Sequence, residues 1–219
     1  MRIVCISDTH GQHDRLPLPE GDMLLHAGDV SKRGKRTQVA EFLRWFARQE
    51  YTHKVFIAGN HDFFFEQEGE EEIASMIPDG VVYLNDSGVE LEGLRIWGSP
   101  VQPWFFDWAF NRQRGADIKK HWDLIPPDTD ILLTHGPAFG ILDRTVRGEA
   151  VGCQDLLHKI QVVKPKLHLS GHIHEAYGHR EQEGIHYANA SVLDVEYQLV
   201  HAPLVFDYDP GTKLLVRVG

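Results

Sequence analysis

Five short apolar segments of this chain are each followed at once by side chains of the types that bind divalent metals. They end in Asp8-Thr9-His10, Gly28-Asp29, Gly59-Asn60-His61-Asp62, His135-Gly136-Pro137 and Gly171-His172-Ile173-His174. Carboxylate, amide and imidazole ligands without sulfur favour first-row divalent ions such as Mn, Fe, Zn or Co. Residues i and i+2 of an extended chain point to the same side, so Asp8 with His10, and His172 with His174, can each present two ligand atoms to one point.

Two of these patterns are rare for a chain of this composition. Gly-Asn-His-Asp is expected about 0.002 times by chance and Gly-His-x-His about 0.07 times, whereas Asp-x-His is expected about once. The rare patterns therefore carry the interpretation as a metal site. The predicted ligands are Asp8, His10, Asp29, Asn60, His135, His172 and His174. Seven ligands are too many for one ion and suit two ions about 3.5–4 Å apart that share a carboxylate.

The elements that must bring these ligands together are predicted to be strands alternating with amphipathic helices. Strands are predicted at Ile3–Ser7, Asp22–Ala27, Lys54–Ala58, Val81–Leu84, Leu94–Gly98, Ile131–Thr134, Lys166–Ser170, Ile185–Ala190, Leu204–Tyr208 and Lys213–Val218. Helical periodicity appears in Val39–Phe46, Glu70–Ile77 and Leu156–Val163, whereas Pro100–Arg114 is predicted to be a long aromatic loop. This alternation predicts an α/β fold with a mixed sheet or two sheets, whose strand ends line one crevice.

The composition is that of a globular protein and limits the classes of partner. The chain has 219 residues, of which 42% are hydrophobic, and it carries a net charge of −10. We expect a single domain over residues 1–219, no duplex nucleic acid as partner, no membrane association and a cytoplasmic location. A homodimer is compatible with this composition.

Two divalent ions beside two aspartates would leave a local charge of 4 − 2 = +2, which attracts an anionic substrate.

The five motifs, in this order, resemble those of the calcineurin-like metallophosphoesterases. The segments Cys5–His13, Trp104-Phe105, Thr134–Pro137 and Gly171–Gly178 further resemble the metallophosphoesterase-domain-containing branch of class III-type phosphodiesterases. The resemblance implies a four-layer sandwich of two packed mixed β-sheets flanked by helices. It also implies that Asp8, His10 and His174 hold one metal, that Asn60, His135 and His172 hold the second, and that Asp29 bridges them.

The implied activity is hydrolysis of small phosphodiesters such as cyclic nucleotides, with manganese the favoured metal. Two-metal chemistry implies that a hydroxide bridging the ions attacks phosphorus in line while His61 protonates the leaving group. In many family members an aspartate orients this histidine, but Lys32 occupies that position here, so Asp62 is a candidate for the role. Arg33, Trp104, Asn111 and Arg114 are candidate substrate contacts. Two alternatives stay open: a phosphomonoesterase or phosphoprotein phosphatase, and a non-catalytic metal-binding interaction module.

Overall fold

The protein folds into fourteen strands and five helices in a computed structural model that describes residues 1–218. The strands are β1 (Arg2–Ile6), β2 (Met23–His26), β3 (His53–Ile57), β4 (Val81–Leu84), β5 (Ser87–Leu91), β6 (Leu94–Ser99), β7 (Gln102–Pro103), β8 (Asn111–Arg112), β9 (Ile131–Thr134), β10 (Leu167–Ser170), β11 (Gly178–Gln182), β12 (Ile185–Asn189), β13 (Leu204–Asp209) and β14 (Leu214–Val218). The helices are α1 (Arg36–Ala47), α2 (Phe63–Gln67), α3 (Glu70–Met76), α4 (Ala116–Asp123) and α5 (Gln154–Val163).

Twelve of the strands form two six-stranded mixed sheets. The first sheet has the order β14-β13-β1-β2-β3-β4 and the second the order β11-β12-β10-β9-β6-β5. In each sheet four neighbouring strands are parallel, namely β1 to β4 in one and β12, β10, β9 and β6 in the other. The carboxyl ends of parallel strands lie at the same edge of a sheet, which is where the predicted ligands follow β1, β2, β3, β9 and β10.

The two sheets pack face to face between two layers of helices. Alternate residues of β1 face opposite sides: Ile3 and Cys5 lie in the core between the sheets, while Val4 and Ile6 lie in the core beneath α1. A third core joins Leu132 of β9 to α4 and α5, through residues such as Trp122. The four-layer α/β sandwich expected from the sequence is therefore confirmed.

Several strands and helices of the structure were not predicted from the sequence. Strands β5 and β11 are antiparallel edge strands, and β11 contains no aliphatic or aromatic residue other than histidine. The segment Pro100–Arg114, predicted as a loop, contains the paired strands β7 and β8. Helices α2 and α4 were also missed, although Ile118 and Trp122 are spaced as on one helix face. No helix within residues 1–218 combines the length and the apolar character needed to cross a bilayer.

A buried histidine on β10 makes the stability of the fold sensitive to acid. The side chain of His168 is 2% exposed, and its Nε2 lies 2.8 Å from Thr134 Oγ1. That hydroxyl donates to the carbonyl of Gly136, so it accepts a hydrogen bond from the Nε2–H group of His168. Burial lowers the pKa of His168 to about 3. The unfolded chain, with a histidine pKa near 6.5, binds the proton more readily, so stability falls as pH drops from about 6.5 towards 3.

We therefore expect His168 to contribute a loss of about 2 kcal/mol in unfolding free energy between pH 7.5 and pH 5. The variant His168→Gln keeps an N–H donor but has no proton to gain. Urea unfolding of chelator-treated protein at both pH values should show a smaller pH-dependent loss in this variant. An identical loss in the variant and the parent would contradict the assignment, because the other buried histidines are the same in both proteins.

Candidate metal centre

The seven predicted ligands come together where the carboxyl ends of both sheets meet. The main chain beyond β1 joins the two sheets: Ser7 N donates to Ala190 O at 2.8 Å, and Val192 N donates to Ser7 O at 3.1 Å. Asp8, Asp29, Asn60, His135 and His174 are all less than 9% exposed. Ligand side chains as far apart in sequence as Asp8 and His174 therefore share one buried pocket at this edge.

One group of ligand atoms is formed by Asp8, His10 and His174. The Nε2 atom of His174 lies 3.5 Å from Asp8 Oδ1 and 3.4 Å from His10 Nε2. All three side chains can offer one ligand atom each within 4.8 Å of one another. Carboxylate oxygen and imidazole nitrogen at these separations match the donor set of a divalent first-row metal.

A second group is centred on the amide oxygen of Asn60. Its Oδ1 lies 2.9 Å from His135 Nε2 and 2.8 Å from His172 Nδ1. Asp29 lies between the two groups, since its Oδ2 is 3.5 Å from both His10 Nε2 and His135 Nε2. Asp29 therefore lies where a carboxylate shared by two ions would have to lie, and its role as the bridging ligand stays a prediction.

The hydrogen bonds behind the ligands fit metal binding. His135 Nδ1 donates to Ala27 O at 2.9 Å, and His174 Nδ1 donates to Asp194 O at 2.8 Å. A carbonyl can only accept, so each neutral ring has its proton on Nδ1 and presents the lone pair of Nε2 to a carboxylate oxygen. In that neutral form two acceptors face each other, so either a proton on Nε2 or a metal ion must lie between them. Such carbonyl partners are the usual means of fixing the tautomer of a metal-binding histidine.

The charge distribution of the protein chain alone also favours metal binding at this site. Burial opposes ionisation of Asp8 and Asp29, but the surrounding histidines outweigh burial and hold the pKa of both carboxyls well below the usual range. Burial likewise opposes protonation of His135 and His174, yet the neighbouring aspartates raise the pKa of each ring to about 9. Two buried carboxylates therefore demand positive charge, which divalent ions can supply by displacing protons from these rings.

The backbone around the ligands is strained and tightly packed. Asp8 and His172 adopt left-handed conformations, with φ of 55° and 70°, which are uncommon for residues other than glycine. A Cβ atom at Gly171 would overlap the Asp8 carboxylate, and one at Gly59 would overlap that of Asp29. Gly59 and Gly171 are therefore required by the close approach of the backbone to the two carboxylates.

Comparison with known proteins agrees with this geometry. The family model for the calcineurin-like phosphoesterases matches residues 1–176, which include every predicted ligand. The chain belongs to this family. It is also 41% identical to the human metallophosphoesterase domain-containing protein 1, over 94% of this chain and 70% of the human protein. The resemblance to the metallophosphoesterase-domain-containing branch is thereby confirmed.

Solved structures of low sequence identity share the fold of this family. One crystal structure aligns with 99% of this chain and 98% of its own length, with a TM-score of 0.69 and 14% identity. The phosphopantetheinyl hydrolase of Mycobacterium tuberculosis aligns with 89% of this chain and 90% of its own, with a TM-score of 0.60 and 15% identity. At such identities the likeness concerns the fold, and the function must be argued from the site itself.

The structure shows what orients the histidine next to the Asn60 position. His61 Nδ1 donates to the backbone carbonyl of Lys32 at 2.8 Å, so the main chain at this position replaces the aspartate found in many phosphoesterases of the family. The indole of Trp108 stacks on the imidazole of His61, with ring centroids 4.2 Å apart and an angle of 25° between the ring planes. The Nε2 atom of His61 is 4.0 Å from Asp29 Oδ2 and so faces the ligand cluster.

Asp62, the candidate for orienting His61, binds main-chain groups of neighbouring segments instead. It is fully buried and accepts N–H groups from Gly59, Val30 and Ser31 at 2.9–3.0 Å. Burial, together with the charge of Asp29, raises the pKa of Asp62 to about 6. The carboxyl of Asp62 therefore holds the segments that follow β2 and β3 together, and it is the Lys32 carbonyl that contacts the His61 ring.

Three of the four candidate substrate contacts line cavities at the rim of the site, and the fourth, Asn111, does not. Arg33 lines a cavity beside His61, while Trp104 and Arg114 line a second cavity of about 280 Å³ that also contains His172. Within this second cavity Trp104 is 53% exposed, whereas the guanidinium of Arg114 donates to the carbonyls of Gly152 and Val151. The amide of Asn111 donates to the carbonyls of Phe105 and Phe106 and thus supports the aromatic segment.

Two polar residues at the end of β12 and just beyond it support the ligands and were not predicted from the sequence. Ser191 Oγ, fully buried, donates to Asp8 Oδ2 at 2.7 Å. The amide of Asn189 donates to Ile173 O at 2.8 Å and so holds the turn that carries His172 and His174. The available signal was a sixth strand ending in polar residues, Asn189-Ala190-Ser191, in the same manner as the other five.

We expect Ser191→Ala to weaken metal binding about 10–100-fold, the range seen when a group supporting a metal ligand is removed. The Oγ of Ser191 uses its only proton to fix the Asp8 carboxylate, and alanine leaves that oxygen without this partner. Calorimetric titration of chelator-treated protein with Mn²⁺ measures the effect. Ser75→Ala on the exposed face of α3 is a suitable control, and equal Mn²⁺ affinities for the two variants would refute the role of Ser191.

Proposed function

We propose that this phosphoesterase is a phosphodiester hydrolase that uses two divalent metal ions in a single catalytic domain spanning residues 1–219. The observation that carries the proposal is the convergence of seven ligand side chains and His61 on one buried pocket. Asp8, His10 and His174 would hold one ion, Asn60, His135 and His172 the other, and Asp29 both. When bound, such a pair of ions supplies Lewis acidity and a nucleophilic hydroxide near neutral pH. Manganese is the metal we would test first.

The side chains of the protein then have distinct tasks. The Lys32 carbonyl holds His61 Nδ1–H, so the imidazolium has its second proton on Nε2, directed towards the pocket. His61 can donate that proton to the departing oxygen, a step typically worth about 10²–10⁴-fold in rate. The Trp108 indole stacks on the imidazole of His61 and covers that face of the ring.

A diester fits the pocket better than a monoester. A monoester dianion is commonly held by arginine side chains that reach the reacting phosphate. None of the buried polar side chains within residues 1–218 is a lysine or an arginine. Within the buried pocket the reacting phosphate would therefore meet the two metal ions and His61, with arginine and lysine side chains only at the rim, which suits the single charge of a diester. Small diesters, including cyclic nucleotides, are the class to be screened.

The test is Mn²⁺-dependent hydrolysis of bis(4-nitrophenyl) phosphate beside 4-nitrophenyl phosphate, with the same metal-reconstituted protein. We expect clear turnover of the diester, well above that of the monoester, and loss of both activities in Asn60→Ala. The opposite preference would identify a phosphomonoesterase. Absence of turnover above the Asn60→Ala control would favour the non-catalytic interaction module.

A further inference from the structure

A cavity of about 530 Å³ opens beside His61, on the rim of the proposed catalytic pocket. It is lined by residues from the segments that follow β1, β2, β3 and β12, together with the aromatic segment between β7 and β8. Its lining includes the catalytic candidate His61 with Trp108, and the charged residues Arg15, Lys32, Arg33 and Glu196. Its volume is within the usual range for a small-molecule site and is sufficient for a nucleotide-sized group.

Positive charge is concentrated in this cavity of an otherwise acidic protein. Arg15, Lys32 and Arg33 line it against a single carboxylate, that of Glu196, while the chain as a whole carries −10. Among residues 1–218 none of these three cations forms an ion pair with a carboxylate. Three cations that have no carboxylate partner within residues 1–218, next to a reaction centre, produce a local positive field that attracts anions.

The structure holds the guanidinium of Arg15 and the main chain of Lys32 in place. Arg15 Nη1 donates to Gln12 Oε1 at 2.8 Å, and Gln12 Nε2 donates in turn to Tyr197 O at 2.9 Å. The main chain of Lys32 is held through its carbonyl by His61. Preorganised donors lose less conformational entropy when they bind a ligand than free surface side chains do.

The position of His61 determines which part of a substrate enters the cavity. A general acid must come within hydrogen-bond distance of the oxygen that departs, and His61 is itself part of the cavity lining. In the step, a water oxygen bonds to phosphorus and the bond from phosphorus to the leaving oxygen breaks with its electron pair. The leaving oxygen takes the proton of His61, and the water proton passes to solvent. The departing alcohol is therefore the group that extends past Arg15, Lys32 and Arg33.

We propose that the preferred substrate carries a second, terminal phosphate on its leaving group, bound by Arg15, Lys32 and Arg33. This inference rests on the proposed phosphodiesterase function and narrows its substrate class. Phosphate oxygens accept several charge-assisted hydrogen bonds at once, which matches three unpaired cations better than an uncharged leaving group does. Short oligonucleotides with phosphorylated ends belong to this class, whereas a cyclic mononucleotide has no second phosphate.

The test compares the dinucleotide thymidylyl-thymidine, TpT, with the same dinucleotide phosphorylated at both ends, pTpTp. Whichever side of the central diester departs, the leaving nucleoside bears a terminal phosphate only in pTpTp. We expect kcat/KM for cleavage of the central diester to be at least about 10-fold higher for pTpTp, as measured by chromatography of the products. Because mobile salt ions screen exposed charges, this preference should shrink in 1 M NaCl.

Variants then assign the preference to the cavity. Arg15→Gln and Arg33→Gln should each lower the ratio of the two kcat/KM values by about 3–10-fold. Arg44→Gln, an exposed position on α1 outside the cavity, is the matched control and should keep the parental ratio. Calorimetric titration of metal-free protein should show tighter binding of pTpTp than of TpT, which separates the cations from any direct contact of the terminal phosphates with metal ions.

The outcomes distinguish this inference from the function on which it rests. Equal kcat/KM values for TpT and pTpTp, or a preference that survives in both arginine variants, would overturn the inference while phosphodiester hydrolysis itself stands. Failure to cleave TpT, pTpTp and bis(4-nitrophenyl) phosphate alike would overturn the proposed function together with the inference.

Discussion

Replacing Asp29 by asparagine is expected to lower phosphodiester hydrolysis by at least about 10³-fold, or ~4 kcal/mol of transition-state stabilisation. The Asp29 Oδ2 atom lies 3.5 Å from the Nε2 atoms of both His10 and His135, so this one oxygen links the two groups of ligands. Asparagine keeps the shape of the side chain but removes the negative charge that would hold two cations close together. Steady-state kinetics with Mn²⁺ and elemental analysis of the dialysed protein measure the two effects.

The metal content is the sharper of these two readouts. We expect two manganese ions per parental chain and at most one in Asp29→Asn. Asp79→Asn removes an exposed carboxylate from the turn before β4 and should keep both ions and full activity. If Asp29→Asn retained two ions and parental kcat/KM, Asp29 would not be the bridging ligand.

Replacing His61 by asparagine is expected to slow cleavage of an alkyl diester by about 10²–10⁴-fold. An alkoxide departs poorly without a proton, and His61 is held by the Lys32 carbonyl with Nε2 directed at the pocket. A nitrophenolate leaves readily as an anion and needs little protonation. The loss should therefore be much smaller for bis(4-nitrophenyl) phosphate than for TpT, and the two substrates assayed with one variant measure the difference.

The variant His61→Asn also distinguishes two roles of His61, as a general acid and as a metal ligand. His61 can also place a nitrogen within 4.8 Å of ligand atoms of His10 and Asp29, which is close enough to hold an ion. If His61 is a general acid, we expect His61→Asn to keep the parental manganese content. Loss of an ion, with equal rate losses for the aryl and alkyl substrates, would show that His61 is a ligand.

The candidate ligands could be predicted from the sequence because each lies directly after a short apolar strand. Parallel strands bring their carboxyl ends to one edge, so the order of motifs in the chain was sufficient to predict which side chains meet. The amphipathic helices α1 and α5 could be predicted for a similar reason, since their buried faces repeat at helical spacing. These features are encoded within a few neighbouring residues.

Other features depend on partners that are distant in sequence. Strand β11 has a polar sequence and exists because it pairs with β12, and the ring of His61 is oriented by a backbone carbonyl for which side-chain identity gives no signal. The fixed position of Arg15 depends on Gln12, which in turn contacts the main chain of residue 197.

The sequence by itself therefore determined the family, the layered fold and the candidate ligands of this protein. The tertiary structure decided how His61 is oriented, that Ser191 supports Asp8, and that three unpaired cations share the cavity beside the reaction centre. The physical reason is the range of the interactions. Strand and helix patterns arise from local spacing, whereas hydrogen bonds to main-chain atoms and shared electrostatic fields arise only when distant segments are packed together.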